Sequence, residues 1–86
     1  MSIYLGDFAK EFGKVLRETG VSIYKIASYT GLDEGYLSRL KSGEKQHPSP
    51  ETIVKIGLAL THYSEKVTIH NVEQLFKATG RSIWTD

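Results

Sequence analysis

Residues 22–43, SIYKIASYTGLDEGYLSRLKSG, contain the same helix-entry device twice in one short stretch. In the first copy Val21 precedes Ser22, and Ile26 follows the serine by four residues. A serine hydroxyl accepts a hydrogen bond from an otherwise unpaired N–H of the first helical turn. An apolar pair placed one residue before and four after such a cap fixes the angle at which the chain enters the helix. In the second copy Leu32 precedes Asp33, and Leu37 takes the inner position. Gly31 between them supplies the positive φ that a tight turn requires, and Gly43 closes the second helix. Small Ala27 lets the two helices approach, Leu32 and Leu37 wedge the angle between them, and Ile26 and Leu40 extend the wedge into a core. The spacing therefore predicts a helix-turn-helix in which one face of residues 33–42 points outward. A protruding helix about 10–12 Å across matches the major groove of DNA, which is about 12 Å wide.

Upstream, Leu5, Phe8, Phe12, Val15 and Leu16 recur in steps of three and four, drawing one apolar stripe on a first helix. Ser2 and Asp7 can each cap it, and Gly20 is a left-handed stop. Downstream, Glu44 to Pro48 reads as an exposed loop. Ser49 caps a fourth helix with Pro50 at its first position, where a missing N–H costs nothing. Ile53, Ile56, Gly57 and Leu60 form its inner face. Val54 and Leu58 lie on a second side, which would suit a helix covered twice. A fifth helix is predicted from Ile69 to Ala78, capped by Thr68 and stopped at Gly80, with Ile69, Val72, Leu75 and Phe76 as its stripe. Ile83 and Trp84 are too apolar for an idle tail. With no strand-like alternation and no internal repeat, the expectation is a single all-α domain of five helices over residues 1–86.

Composition narrows the function. The chain has 86 residues, no cysteine and a net charge of +1. Disulfides, thiolate metal sites and thiol catalysis are thereby excluded. No apolar stretch approaches the roughly 20 residues that span a bilayer, and the first residues lack a signal-peptide layout, so a cytoplasmic, non-membrane protein is expected. Two S-x-x-K matches, Ser22 to Lys25 and Ser38 to Lys41, lack the partner motifs of the enzymes that use that pattern. His47, His62 and His70 share no metal-ligand spacing. Neither a cofactor nor an enzymatic activity is expected.

The run SIYKIASYTGLDEGYLSRLKSGE, followed by HPSPETIVKIGLAL, resembles the Cro/C1-type (Xre) helix-turn-helix of phage and bacterial repressors. The matching features are Ser22, Ile26-Ala27, Gly31-Leu32, Leu37-Ser38-Arg39-Leu40, Gly43 and the Pro-Ser-Pro-Glu-Thr entry to the fourth helix. With the first helix the resemblance covers residues 8–60. It implies a five-helix, lambda-repressor-like domain that regulates transcription by binding operator double-stranded DNA as a homodimer. It also implies that Glu34, Gly35, Tyr36, Ser38 and Arg39 face base edges. Arg39 can fork two hydrogen bonds to guanine N7 and O6, worth about 1–3 kcal/mol of discrimination. Glu34 can accept from cytosine N4 or partner the helix dipole. Gly35 allows close backbone approach, and Tyr36 suits a thymine methyl or a phosphate. Ser22, Tyr24, Lys25, Lys41, Lys45 and His47 are the expected phosphate contacts, which set register without reading sequence.

Around this face Lys25, Arg39, Lys41 and Lys45 oppose Asp33, Glu34 and Glu44, a balance of 4 − 3 = +1 that predicts modest non-specific affinity. Val72, Leu75, Phe76, Ile83 and Trp84 are the candidate dimer seam. The alternative reading is a protein-interaction module on the same fold, an antitoxin or a regulator-binding protein, that presents the Ile83–Trp84 end or Val54 with Leu58 to a second protein.

Overall fold

The computed structural model describes residues 7–79, and these form five α-helices and no strand. They are α1 (Asp7–Thr19), α2 (Ile23–Thr30), α3 (Glu34–Ser42), α4 (Pro50–Tyr63) and α5 (Ile69–Lys77). Asp7 is the first described residue and is helical; Ser2, Leu5, Gly80, Ile83 and Trp84 lie outside the described residues. α1 packs on α3 and α5, α2 on α3 and α4, and α4 on α5. One core results. Phe8, Phe12, Ile26, Leu37, Leu40, Ile53, Ile56, Leu60 and Leu75 are its largest fully buried members. The rings of Phe8 and Phe12 meet at 5.5 Å between centroids.

The caps explain the boundaries. Ser22 accepts from the Lys25 N–H at 3.1 Å, Asp33 from the Tyr36 N–H at 2.8 Å, and Ser49 from the Thr52 N–H at 3.2 Å. At α5 the carboxamide oxygen of Asn71 accepts from the Thr68 N–H at 2.8 Å, so the cap reaches back from inside the helix. Gly31 has φ 79° and donates to the Ala27 carbonyl at 2.9 Å, which turns the chain between α2 and α3.

A second device reinforces two of the turns. The Thr30 hydroxyl donates to the Ile26 carbonyl at 2.7 Å and accepts from the Leu32 N–H at 3.1 Å. Thr19 does the same between the Val15 carbonyl (2.8 Å) and the Val21 N–H (3.2 Å). Each threonine thus ties the last turn of a helix to the apolar residue that opens the next one. Thr-Gly-Val and Thr-Gly-Leu are the sequence forms of this clamp.

Three expectations are corrected. Pro48 is fully buried rather than part of an exposed loop, because it anchors the 44–48 connection on the core. Val54 and Leu58 are not covered: they are 45% and 55% exposed, since α5 packs beside α4 at Gly57 and not over its outer face. Leu75 and Phe76 are buried within the monomer, at 0% and 5% exposure, and so are not free to form a dimer seam. Val72 is also engaged internally, packed against the core beside Gly57. No described helix is long and apolar enough to cross a membrane.

Candidate nucleic-acid interface

α3 is divided lengthwise. Leu37 and Leu40 are fully buried, whereas Glu34, Gly35, Ser38 and Lys41 are exposed. Tyr36 and Arg39 are half-buried along the margins of the exposed strip. The five residues expected at base edges therefore share one accessible side of α3 or its border. Arg39 does not project freely. A Cβ built on Gly35 would lie 3.5 Å from Arg39 Nη1 and 3.0 Å from Asp33 Oδ2, so the guanidinium lies back along α3 over the bare glycine. A methyl at position 35 would touch the Arg39 head at an ordinary distance and crowd the Asp33 carboxylate.

The expected phosphate contacts fall into two notches and two outliers. Ser22 and Lys41 line one notch together with Arg17, Gly20, Val21 and Ile23, where the end of α1 meets the start of α2. Positive charge gathers there from two side chains and from the amino end of α2, whose dipole favours an anion. Lys45 and His47 line the second notch with Tyr36, Glu44 and Gln46. Its backbone is fixed: the Gly43 and Lys45 N–H groups both donate to the Arg39 carbonyl, at 3.1 and 3.0 Å. Gln46 Nε2 donates to the Gly43 carbonyl at 3.1 Å. Tyr24 stands 67% exposed on α2, away from either notch. Lys25 is directed elsewhere, its ammonium 5.5 Å from the ring centroid of Tyr63 on α4. It does not join Ser22 and Lys41.

Sequence reasoning missed Arg17. It sits in the last turn of α1, and its guanidinium passes over Gly13, where a Cβ would come within 3.3 Å of Nη1. The glycine four residues before an arginine, repeated at Gly35 and Arg39, was the available signal. Among the described residues the ion pair within 4.0 Å is Lys55 with Glu51, so Arg17, Arg39, Lys41 and Lys45 are not neutralised by direct contact. No group of three or more His, Asp or Glu that could hold a metal occurs among the described residues. Comparison with protein-family models, with curated proteins and with solved structures yields no match to this chain.

Proposed function

We propose that this chain is a sequence-specific DNA-binding regulator of the Cro/C1 type, a lambda-repressor-like domain that lays α3 in the major groove of an operator as a two-fold dimer. The observation that carries this reading is the lengthwise division of α3, with Leu37 and Leu40 fully buried and Glu34, Gly35, Ser38 and Lys41 on the open side. Around that strip lie Arg17, Lys41 and Ser22 in one notch and Lys45 and His47 in the other. A base-reading strip bordered by cations that have no ion-pair partner among the described residues is the arrangement that groove insertion requires. Arg39 supplies the fork for guanine, and Ser38 and Glu34 read its neighbours.

Selection from random double-stranded DNA by the purified protein at moderate salt tests the reading. A recovered palindrome with half-sites about one helical turn apart is the expected outcome. Enrichment of no sequence even at low salt, where phosphate attraction is strongest, defeats it. One feature favours a second reading, in which the fold serves protein interaction. Val54, Leu58 and Ile69 are all exposed on the α4–α5 side, an apolar surface that DNA binding by α3 does not use.

A further inference from the structure

The large apolar residues that remain exposed are not scattered. Of these, Val54, Leu58 and Tyr63 lie on α4, Ile69 on α5, and Tyr24 and Tyr29 on α2, the two helices packed against α4. On α4 itself Val54, Leu58 and His62 follow one another in steps of four, the spacing of a ridge on a helix surface. That ridge runs for about 12 Å at 1.5 Å per residue. On its α2 side Tyr29 stacks on His62 at 4.6 Å between ring centroids, and Tyr63 stands edge-on to both rings, at 6.1 and 4.8 Å. On its α5 side Val54, Leu58 and Thr61 face Ile69 and Val72 across a shallow apolar groove. The result is a ridge with an aromatic shoulder on its α2 side at His62 and an aliphatic groove along its α5 side.

We propose that this face is the seam between two copies of the chain, packed α4 against α4 about a two-fold axis at Leu58. The inference rests on the dimeric reading above and moves its seam from α5 to α4. A four-residue ridge is its own complement when turned end for end. Leu58 meets Leu58, and Val54 of each copy meets His62 of the other, which brings the Tyr29–His62 shoulder to the Val54–Ile69 groove. Ridges of this kind on two helices interlock at about −50°, the commonest helix pairing. A two-fold interface demands this reciprocity, in which residue i touches j and j touches i.

The charges select a second copy over a strongly acidic or basic partner. Glu51 and Lys55 beside the ridge pair with each other at 3.6 Å, and Lys25 is held over Tyr63. Glu65 and Lys66, which follow α4, are of opposite sign. Two such faces neither repel one another nor attract a polyion. The exposed apolar face is small, so the association should be weak and visible as a concentration-dependent equilibrium.

The test uses the full chain without DNA. Sedimentation equilibrium from micromolar to millimolar protein should show reversible dimerisation, and Leu58→Lys should raise its dissociation constant at least about tenfold, roughly 1.4 kcal/mol. Leu58 is solvent-exposed in the monomer, so the variant should keep the wild-type thermal transition at dilute concentration. Because the chain has no cysteine, Leu58→Cys should give a covalent dimer on oxidation. A mixture of Val54→Cys and His62→Cys should give the hetero-linked pair, and Lys10→Cys on α1 should give neither. A monomer at every concentration overturns the proposal, as does a dimer in which Leu58→Cys links no faster than Lys10→Cys. So does a monomer in which Cys at 58 is shielded from thiol reagents, since its own chain then covers the ridge. A dimer that selects no DNA would defeat the regulatory reading alone, and a dimer that selects a palindrome but does not link through Leu58→Cys would defeat this seam alone.

Discussion

Val72 fills the space that a side chain on Gly57 would need. A Cβ placed on Gly57 would lie 2.9 Å from Val72 Cγ2 and 3.1 Å from Cγ1, closer than packed carbons approach. α4 and α5 therefore touch through a bare helix backbone. Both crowding atoms belong to a β-branched side chain that is stiff at χ1 and cannot swing aside cheaply.

Gly57→Ala should accordingly destabilise the fold, against the usual benefit of replacing a helical glycine. Alanine in mid-helix is worth about 0.5–1 kcal/mol, while overpacking costs about 1–3 kcal/mol, for a net loss of about 1 kcal/mol. For a domain of this size that corresponds to a fall in Tm of about 4–8 °C by calorimetry. Adding Val72→Ala removes both crowding methyls. The double variant should then lose less stability than the two single losses combined, and strict additivity would show that the contact is not the cause.

The turn between α2 and α3 yields a prediction of a different kind, because nothing crowds it. No atom lies within 4 Å of a Cβ built on Gly31, yet its φ is 79°. The penalty for substitution is then backbone strain alone, about 1–2 kcal/mol for alanine. Asparagine, which tolerates the left-handed region, should cost less, and valine most. Thr30→Val keeps the shape but deletes both bonds of the clamp at 2.7 and 3.1 Å. It should cost about 1–2 kcal/mol in urea denaturation, since the Ile26 carbonyl and Leu32 N–H each lose a partner.

Why the sequence revealed this much and no more follows from the range of each signal. Ser22, Asp33 and Ser49 bond to N–H groups three residues away, so their roles are local and were readable. The same holds for Gly31 and Gly43, and for the stripes that buried Phe12, Ile26, Leu37, Ile53 and Leu60. The exposure of Leu58 was not readable, because a helix carrying apolar residues on two sides does not state whether a neighbour covers the second. That answer depended on α5 settling at Gly57, a contact across chain-distant residues. Leu75 and Phe76 went astray in the same way: apolar surplus marks burial without saying whether a core or a partner supplies it. Arg17 entered the candidate site only when α1 was packed against α3, which brings it to the same notch as Lys41.

Asp33 separates folding from DNA affinity. Its carboxylate caps α3 at 2.8 Å from the Tyr36 nitrogen, and it also places a negative charge at the proposed interface. Asparagine caps as well as aspartate but carries no charge. Asp33→Asn should leave the thermal transition within about 0.5 kcal/mol of wild type while strengthening non-specific DNA binding. Asp33→Ala should lose about 1 kcal/mol of stability through the missing cap. Equal DNA affinity for wild type and Asp33→Asn across salt concentrations would place this helix end away from the phosphates.

Arg39, Lys45 and Arg17 should part company when binding is measured on several sequences and at several salt concentrations. Arg39 has the geometry for guanine and lies over Gly35, so Arg39→Ala should cost about 1–3 kcal/mol on the preferred site and flatten discrimination at one base pair of each half-site. Lys45 and Arg17 line notches that border α3, where phosphate contact is the expectation. Lys45→Ala and Arg17→Ala should each weaken all sequences alike and reduce the salt slope by about one unit for every protomer altered. Gly35→Ala tests how closely the arginine depends on the bare helix beside it. Its methyl would crowd Asp33 Oδ2 at 3.0 Å but only touch Arg39 Nη1 at 3.5 Å, so any loss of discrimination should be much smaller than that of Arg39→Ala, with the salt slope unchanged. If Gly35→Ala instead lowers the slope and spares the base preference, the guanidinium is a phosphate contact and α3 reads its site without it.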